Sequence, residues 1–169
     1  MRFIRTTLLL AAASLAMPGT AGAAADQPHQ LKAAIVFNIL RFVDFADSGA
    51  SDQVRLCLPR EVAGRSALAS LDGRVSGSRR IVVRATAPGV GQGCDAIYVG
   101  SAGMAEIQRL ERDGLLIIGD GPSFVRAGGT IGLVSMGNQV RFEVNNKAAR
   151  SNRIAISSKL LRLAARIEQ

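Results

Sequence analysis

The sequence predicts an α/β domain with a mostly parallel or mixed central sheet, helices on both faces, and a C-terminal β-hairpin followed by a helix. The chain has 169 residues, which suits one ordinary domain. Apolar residues make up 48% and charged residues 20%, which excludes a disordered chain. Short apolar runs alternate with helical patterns, and turns containing glycine or proline separate them. These three observations define the class.

Residues 1–23 are predicted to be a secretory signal peptide. Two arginines open it, residues 8–17 form a short apolar segment, and small residues around Ala23 and Ala25 offer cleavage sites. The apolar segment is about half of the roughly 20 residues that a membrane span needs, which disfavours an anchor. Cleavage leaves one exported domain over residues 24–169 and lowers the net charge from +8 to +6, because both arginines leave with the peptide.

The exported domain is predicted to open with a helix over residues 31–46. Its apolar residues recur at helical spacing on one face, and further apolar residues occupy the other sides. A helix of this kind is either buried on all sides or partly covered by a partner. The sequence leaves both readings open. Phe37, Phe42 and Phe45 are therefore candidates for a contact with a partner or a second copy.

The remaining elements follow from apolar runs and the turn residues between them. Gly137 and Asn138 separate two runs and predict a hairpin. Gly114 is placed to end a helix. The predicted strands cover residues 54–58, 80–85, 95–99, 115–118, 130–135 and 139–144, and the predicted helices cover 61–70, 104–113 and 151–166, with a short helical turn at 123–126.

The two cysteines, Cys57 and Cys94, are predicted to form a disulfide. Export places them in an oxidising compartment, and both lie in or beside strand-like runs that one sheet can bring together. The bridge closes a loop of about 38 residues, which chain-entropy arithmetic values at roughly 4 kcal/mol. The alternative is a pair of buried free thiols.

The sequence offers no constellation for catalysis, for a metal or for a cofactor. His29 is the only histidine and lies in a polar stretch near the N-terminus, so neither a nucleophilic triad nor a His/Cys zinc site can be assembled. The loop containing Ser101 and Gly103 lies between a predicted strand and a predicted helix, where backbone amides can hold an anion. These two residues are ligand candidates, and a simple tight turn with a helix cap is the alternative.

The C-terminal segment is strongly basic. Lys159, Arg162 and Arg166 recur at helical spacing beside an apolar face of the predicted last helix, and Arg141 lies in the preceding strand. Such a stripe attracts acidic protein surfaces or anionic lipids. Export makes nucleic acid a poor partner. These four residues are therefore candidates for a partner or dimer interface. The alternative interpretation is a solvated helix face.

Five segments together resemble the YfiR family, the YfiR/HmsC group. They are the helix opening KAAIVFNILRFVD at 32–44, LDGR at 71–74, CDAIYV at 94–99, RFEVN at 141–145 and ISSKLLRLA at 156–164. The resemblance extends over residues 31–164, and it rests on the order and spacing of the segments. It implies a small, dimeric periplasmic regulator with disulfides that support the fold.

The resemblance further implies a function that depends on binding and not on catalysis. Characterised members bind the periplasmic domain of an inner-membrane diguanylate cyclase and repress cyclic di-GMP synthesis, which controls exopolysaccharide and biofilm. An OmpA-like outer-membrane lipoprotein can sequester the repressor. We therefore expect a non-enzymatic periplasmic repressor that does not insert into the membrane. The alternative is a periplasmic module that binds a small anion and signals to a different membrane sensor.

Overall fold

An eight-stranded mixed sheet is the centre of the structure, a computed structural model that describes residues 21–45, 51–110, 113–137 and 139–169. A separate two-stranded sheet pairs β1 (Val43–Phe45) with β9 (Ile154–Ile156). The strands of the main sheet are β2 (Gln53–Pro59), β3 (Val75–Ser76), β4 (Arg79–Thr86), β5 (Ala96–Tyr98), β6 (Leu116–Asp120), β7 (Ile131–Met136), β8 (Gln139–Asn145) and β10 (Arg166–Glu168). The helices are α1 (Ala21–Arg41), α2 (Arg65–Ala69), α3 (Met104–Leu110), α4 (Asn146–Ser151) and α5 (Ser158–Leu163).

The five inner strands are parallel and lie in the order β7-β6-β5-β2-β4. The chain therefore starts in the middle of this group and moves outwards first to one side and then to the other, as in doubly wound folds. The short β3 and the long β8 pair antiparallel with the two ends of the group, and β10 extends it parallel to β8. The mixed sheet and the β7–β8 hairpin confirm the predicted class.

Helices cover both faces of the sheet, as the sequence predicts. Alternate strand residues such as Leu56 and Leu116 pack into one core with α1 and α2, while the intervening residues such as Ile97 and Ile117 pack into a second core with α3. The alternation follows from the two-residue period of a strand. Strands buried on both faces read as continuous apolar runs, which is why they were detectable in the sequence.

The connection from β4 to β5 has no helix. Residues 87–95 form turns instead, and they are fixed by the predicted disulfide, which the structure forms between Cys57 of β2 and Cys94. Beside it, Asp95 accepts two hydrogen bonds from the Arg55 guanidinium, at 3.0 Å from Nε and 2.7 Å from Nη2. These hydrogen bonds raise the pKa of Arg55 above its ordinary value. A covalent bond and an ion pair thus hold the segment that would otherwise be a crossover helix.

The outer edge of β4 is blocked by a side chain. β3 pairs only with the first two residues of β4, so the rest of that edge has no neighbouring strand among the described residues. There the Val83 amide donates a hydrogen bond to the Asp72 carboxylate, at 2.8 Å. Charge on an open edge discourages pairing with another chain.

The first helix ends earlier than predicted. It stops at Arg41, and the chain enters β1, where Val43 pairs with Ile156 and Phe45 pairs with Ile154. The prediction that Phe45 lies on a helix face was therefore wrong. The apolar spacing of the sequence predicted that the helix continues through these residues. Pairing with β9 makes them a strand instead, because contacts between distant segments outweigh local propensity.

The predicted helix over 151–166 is also wrong. The last residue of α4, the short helix α5 and two three-residue strands, β9 and β10, occupy this region. Arg153 adopts a left-handed conformation, with φ of 54°, which turns the chain from α4 into β9. The Ser157 hydroxyl then accepts the Leu160 amide and starts α5, and extended backbone at Ala164 ends it. The helix predicted at 61–70 is reduced to α2.

Candidate functional site

The carboxyl edge of the parallel sheet is filled by the protein itself. Tyr98, at the end of β5, is 1% exposed and donates a hydrogen bond from its hydroxyl to Asp120 Oδ2, at 2.7 Å. Lys32 of α1 places its Nζ 2.9 Å from Asp120 Oδ1. Burial, and then the nearby Asp120 charge, raise the pKa of Tyr98 far above its ordinary value. The phenol therefore stays neutral.

The first half of α1 covers this edge. The imidazole of His29 lies against Gly64, so closely that a Cβ built there would be 2.5 Å from His29 Nδ1. Gly64 also has a φ of +72°, which favours glycine. Open α/β sheets bind ligands outside the carboxyl ends of their strands, where the strand order reverses. Here that crevice, beside β2 and β5, is occupied by α1.

The two ligand candidates, Ser101 and Gly103, lie beside this edge. Both are exposed, in the loop between β5 and α3. The Gly103 carbonyl accepts the amides of Glu106 and Ile107 at the start of α3, each at 3.1 Å. This arrangement is the turn and helix start that the sequence offered as an alternative. A ligand role for either residue remains a prediction.

Three arginine side chains lie over the three phenylalanines that the sequence singled out. The Arg74 guanidinium carbon is 4.2 Å from the centre of the Phe37 ring. The corresponding distances are 5.7 Å for Arg41 over Phe42 and 5.2 Å for Arg79 over Phe45. Phe37 and Phe42 are half-buried, whereas Phe45 is 6% exposed. The rings are therefore largely covered, and the surface above them is cationic rather than apolar.

We call Arg41, Arg74, Arg79 and Arg80 the arginine patch. Backbone carbonyls hold two of its members, because Arg79 Nη2 donates to the Val43 carbonyl at 2.6 Å and Arg80 Nη1 donates to the Gly73 carbonyl at 2.9 Å. None of the four takes part in any ion pair found within the described part of the chain. The sequence did not reveal this patch, because its members come from α1 and from the segment around β3, distant in the chain.

The predicted basic stripe near the C-terminus is divided. Lys159 and Arg162 are exposed on α5, and Arg141 is exposed on β8. Arg166 lies instead on β10, where its Nη2 is 2.7 Å from Glu143 Oε2 and 3.4 Å from Glu168 Oε1. The expectation that Arg166 continues a helical stripe is thus wrong, because α5 ends before it and its charge is neutralised within the chain.

A groove lies beside β9 in the same region. It encloses about 560 Å³, and Ile154, Ile156 and Leu161 contribute apolar lining, with Arg150 and Arg153 at its side. Arg153 forms an exposed ion pair with Asp113, at 3.3 Å. Another groove, of about 630 Å³, separates the start of α1 from the β7–β8 turn. Its lining residues include Gln27, Leu31 and Val140. Neither contains a cluster of acids and bases.

The described residues form no group of three or more His, Cys, Asp or Glu side chains that could hold a metal ion. Within the same residues, no helix combines the length and the apolar character that crossing a membrane requires. The side chains at the surface offer guanidinium groups in fixed positions, whose chemistry is the binding of carboxylates and phosphates. The arrangement supports recognition.

Comparison with one solved structure supports the fold. A conserved domain protein from Vibrio cholerae matches 83% of this chain with a TM-score of 0.52 and 14% identity. The ABC domain from Streptococcus pneumoniae, solved with L-Trp, matches 83% with a TM-score of 0.49 and 11% identity. This chain spans 60% of the first protein's length and 62% of the second's. No curated protein matches the chain in sequence.

A family model supplies the identity that these distant structures cannot. The model of the YfiR/HmsC-like family matches residues 29–165. This range includes all of the arginine patch and, among the described strands, all but β10. Members of this family are in general periplasmic regulators of diguanylate cyclases, and they are regulators rather than enzymes. The chain therefore belongs to the YfiR/HmsC-like family.

Proposed function

We propose that this protein is a periplasmic negative regulator that binds the periplasmic domain of an inner-membrane diguanylate cyclase and represses cyclic di-GMP synthesis. The family match over residues 29–165 carries the proposal. The Cys57–Cys94 disulfide supports an oxidising compartment. Repression would lower exopolysaccharide and biofilm formation.

Repression by this protein needs only binding. A bound protein shifts a conformational equilibrium when its affinity differs between the two states. Moving the cyclase from mostly active to mostly inactive requires the repressor to prefer the inactive state by about 10⁴-fold, or about 5.5 kcal/mol. A protein surface with fixed guanidinium groups can provide such a difference if the acidic groups that it meets move between the two states of the cyclase.

Export through a signal peptide at residues 1–23 is part of the proposal, and nearly all of this segment lies outside the described residues. Cleavage near Ala23 or Ala25 would leave Pro28 close to the start of α1. Proline is tolerated in the first turn of a helix, where its missing amide has no partner to lose. The expected homodimer and the sequestering OmpA-like lipoprotein belong to the same proposal.

The test compares cyclic di-GMP in three strains that carry the cognate cyclase. Deleting the gene is expected to raise cyclic di-GMP, and the full chain supplied in trans is expected to restore it. A chain that lacks residues 2–23 and stays in the cytoplasm should fail to restore the level. Unchanged cyclic di-GMP after deletion, or full restoration by the cytoplasmic form, would refute the proposed function.

A second candidate is a small-anion module that signals to another sensor. One observation favours it, since the exposed Ser101 and Gly103 loop lies beside the edge where related sheets bind ligands. Thermal-shift measurements with phosphate, sulfate and small carboxylates separate the candidates. A large shift with one anion, combined with no affinity for the cyclase domain, would favour this second function.

A further inference from the structure

The arginine patch concentrates positive charge for which the described residues provide no ion pair. Arg41, Arg74 and Arg80 are exposed and Arg79 is half-buried. Arg41 also packs near Gly77, whose ideal Cβ would lie 3.9 Å from Arg41 Cγ, so the end of α1 and the turn between β3 and β4 form one continuous surface. The arginines that pair with acids, such as Arg55 and Arg166, lie elsewhere on the sheet.

The side chains of the patch are held in place before any partner arrives. Aromatic rings lie under three guanidinium groups, and backbone carbonyls accept hydrogen bonds from two. A side chain that is already ordered loses less conformational entropy when it binds. The planar guanidinium also presents paired donors that match a carboxylate. Ordered arginines that form no ion pair among the described residues are therefore suited to fixed carboxylates on another molecule.

Two features of the patch favour a folded acidic protein over a membrane or an added strand. The phenylalanine rings lie beneath guanidinium groups, and Val75, 56% exposed, is the large apolar side chain that the patch leaves uncovered. A surface that inserts into lipid presents several aromatic or aliphatic groups instead. The Asp72 carboxylate occupies the Val83 amide on the adjacent β4 edge, which opposes strand addition there.

We propose that the arginine patch is the surface that docks onto an acidic face of the cyclase's periplasmic domain, an inference that rests on the proposed function. The partner face carries carboxylates spaced to meet Arg74 and Arg80, with Arg41 at the rim. Because these contacts are charged and partly solvated, they contribute mainly to the association rate and to specificity, and their contribution weakens with salt.

The experiment measures binding of the mature, disulfide-bonded protein to the purified periplasmic domain of the diguanylate cyclase encoded in the same genome. The variant Arg74→Glu/Arg80→Glu is expected to bind at least about tenfold more weakly, mainly through slower association, with a reduced dependence on salt. Arg41→Glu alone, whose guanidinium contacts one ring, is expected to weaken binding by about threefold. An unchanged thermal transition confirms that each variant is folded.

The matched control is Arg109→Glu/Arg126→Glu. These exposed residues lie outside the patch, on α3 and in the turn before β7, and the change in net charge is the same. Wild-type affinity in this control, with weakened binding in the patch variants, supports the proposal. Equal losses in both double variants would overturn it, because net charge alone would explain them.

The remaining outcomes separate the patch from the function. If the wild type binds the cyclase domain and both patch variants bind equally well, the patch is wrong and the proposed function stands. If the wild type does not bind the domain at all, the proposed function fails. Cosedimentation with phosphatidylglycerol vesicles that the patch variants abolish, without any effect on cyclase binding, would assign the patch to lipid and overturn the proposal.

Discussion

The charged side chains in the middle and at the C-terminal end of α1 differ in their partners. At the carboxyl edge of the sheet, Lys32 pairs with Asp120, which also accepts the Tyr98 hydroxyl, and the group is largely buried. At the amino edge, nine residues later on the same helix and roughly 13 Å away, Arg41 belongs to a patch whose arginines have no ion pair within the described residues. We call the carboxyl edge the closed edge, because its charged groups are paired within the chain. We call the amino edge the open edge, because its arginines form no ion pair among the described residues.

This difference separates stability from recognition. The closed edge lies where doubly wound proteins bind ligands, and α1 fills it with a neutralised ion pair. Outside both regions, the connection between β4 and β5 has no helix, and the disulfide holds it instead. Mutations at the closed edge should therefore change unfolding, whereas mutations of the arginine patch should change binding.

Removing the disulfide should have the largest effect. We expect Cys57→Ser/Cys94→Ser to lower the free energy of unfolding by about 4 kcal/mol, because the reduced chain gains the entropy of an open loop. Urea unfolding followed by tyrosine fluorescence measures it, since Tyr98 is the only tyrosine and the chain has no tryptophan. Reduced wild-type protein should unfold like the double variant, and a difference above about 1 kcal/mol would show that packing contributes instead.

Asp120→Asn should lower the free energy of unfolding by about 3 kcal/mol, because it leaves Lys32 with a buried charge and no acid. Asp113→Asn is the control, since its ion pair with Arg153 is exposed and should contribute less than about 1 kcal/mol. Equal effects in the two variants would show that the ion pair at the carboxyl edge contributes no more to the free energy of unfolding than an exposed ion pair does.

Gly64→Ala should lower the free energy of unfolding by about 2 kcal/mol, because the new Cβ meets the His29 ring and the left-handed backbone disfavours alanine. Gly73→Ala shares the positive φ, at +74°, but has open space around its Cβ. It should cost only about 1 kcal/mol. Chemical denaturation of the pair measures how firmly α1 covers the edge, and identical values would deny that His29 packs there.

High pH should also loosen the closed edge. The pKa of Tyr98 is raised in the folded protein, so stability from this group is complete below its ordinary pKa of about 10 and declines above it. The decline approaches about 1.4 kcal/mol per pH unit, and Tyr98→Phe should lack this contribution. Tyrosinate absorbance should appear only as the protein unfolds. A phenol that titrates near pH 10 in the folded protein would contradict the burial.

Arg74→Ala should have the smallest effect on folding. The exposed contact with the Phe37 ring contributes about 0.5–1 kcal/mol. If unfolding changes by less than about 1 kcal/mol while cyclase binding weakens, the division between the two edges is sharpened. A loss of stability as large as that of Asp120→Asn would instead place the arginine patch among the structural contacts of the fold.

The sequence predicted the parallel sheet because its strands are buried on both faces and end at glycine or proline. It could not predict β9 and β10, since three-residue strands depend on their partners β1 and β8 for their conformation. The alternation of apolar and polar residues across Val43, Asp44 and Phe45 was a usable signal for β1, but the preceding helical pattern masked it.

The candidate site was less accessible from the sequence. Cys57 and Cys94 could be paired because the chain holds two cysteines and the sequence predicts export. The contact between Lys32 and Asp120 joins residues far apart in the chain, and nothing local marks either of them. Phe37 and Phe42 were identified as candidates for an apolar contact surface. The sequence did not show that Arg74, from a distant segment, covers the Phe37 ring, so the positive charge of this surface was missed.

The Asp72 carboxylate at the Val83 amide has a consequence for the protein at high concentration. Removing this carboxylate, as in Asp72→Ala, would free an amide on the outer edge of β4, the longest strand of the sheet. Copies could then join strand to strand at this edge. One short acidic side chain therefore keeps the outer edge of β4 from pairing with another copy of the chain.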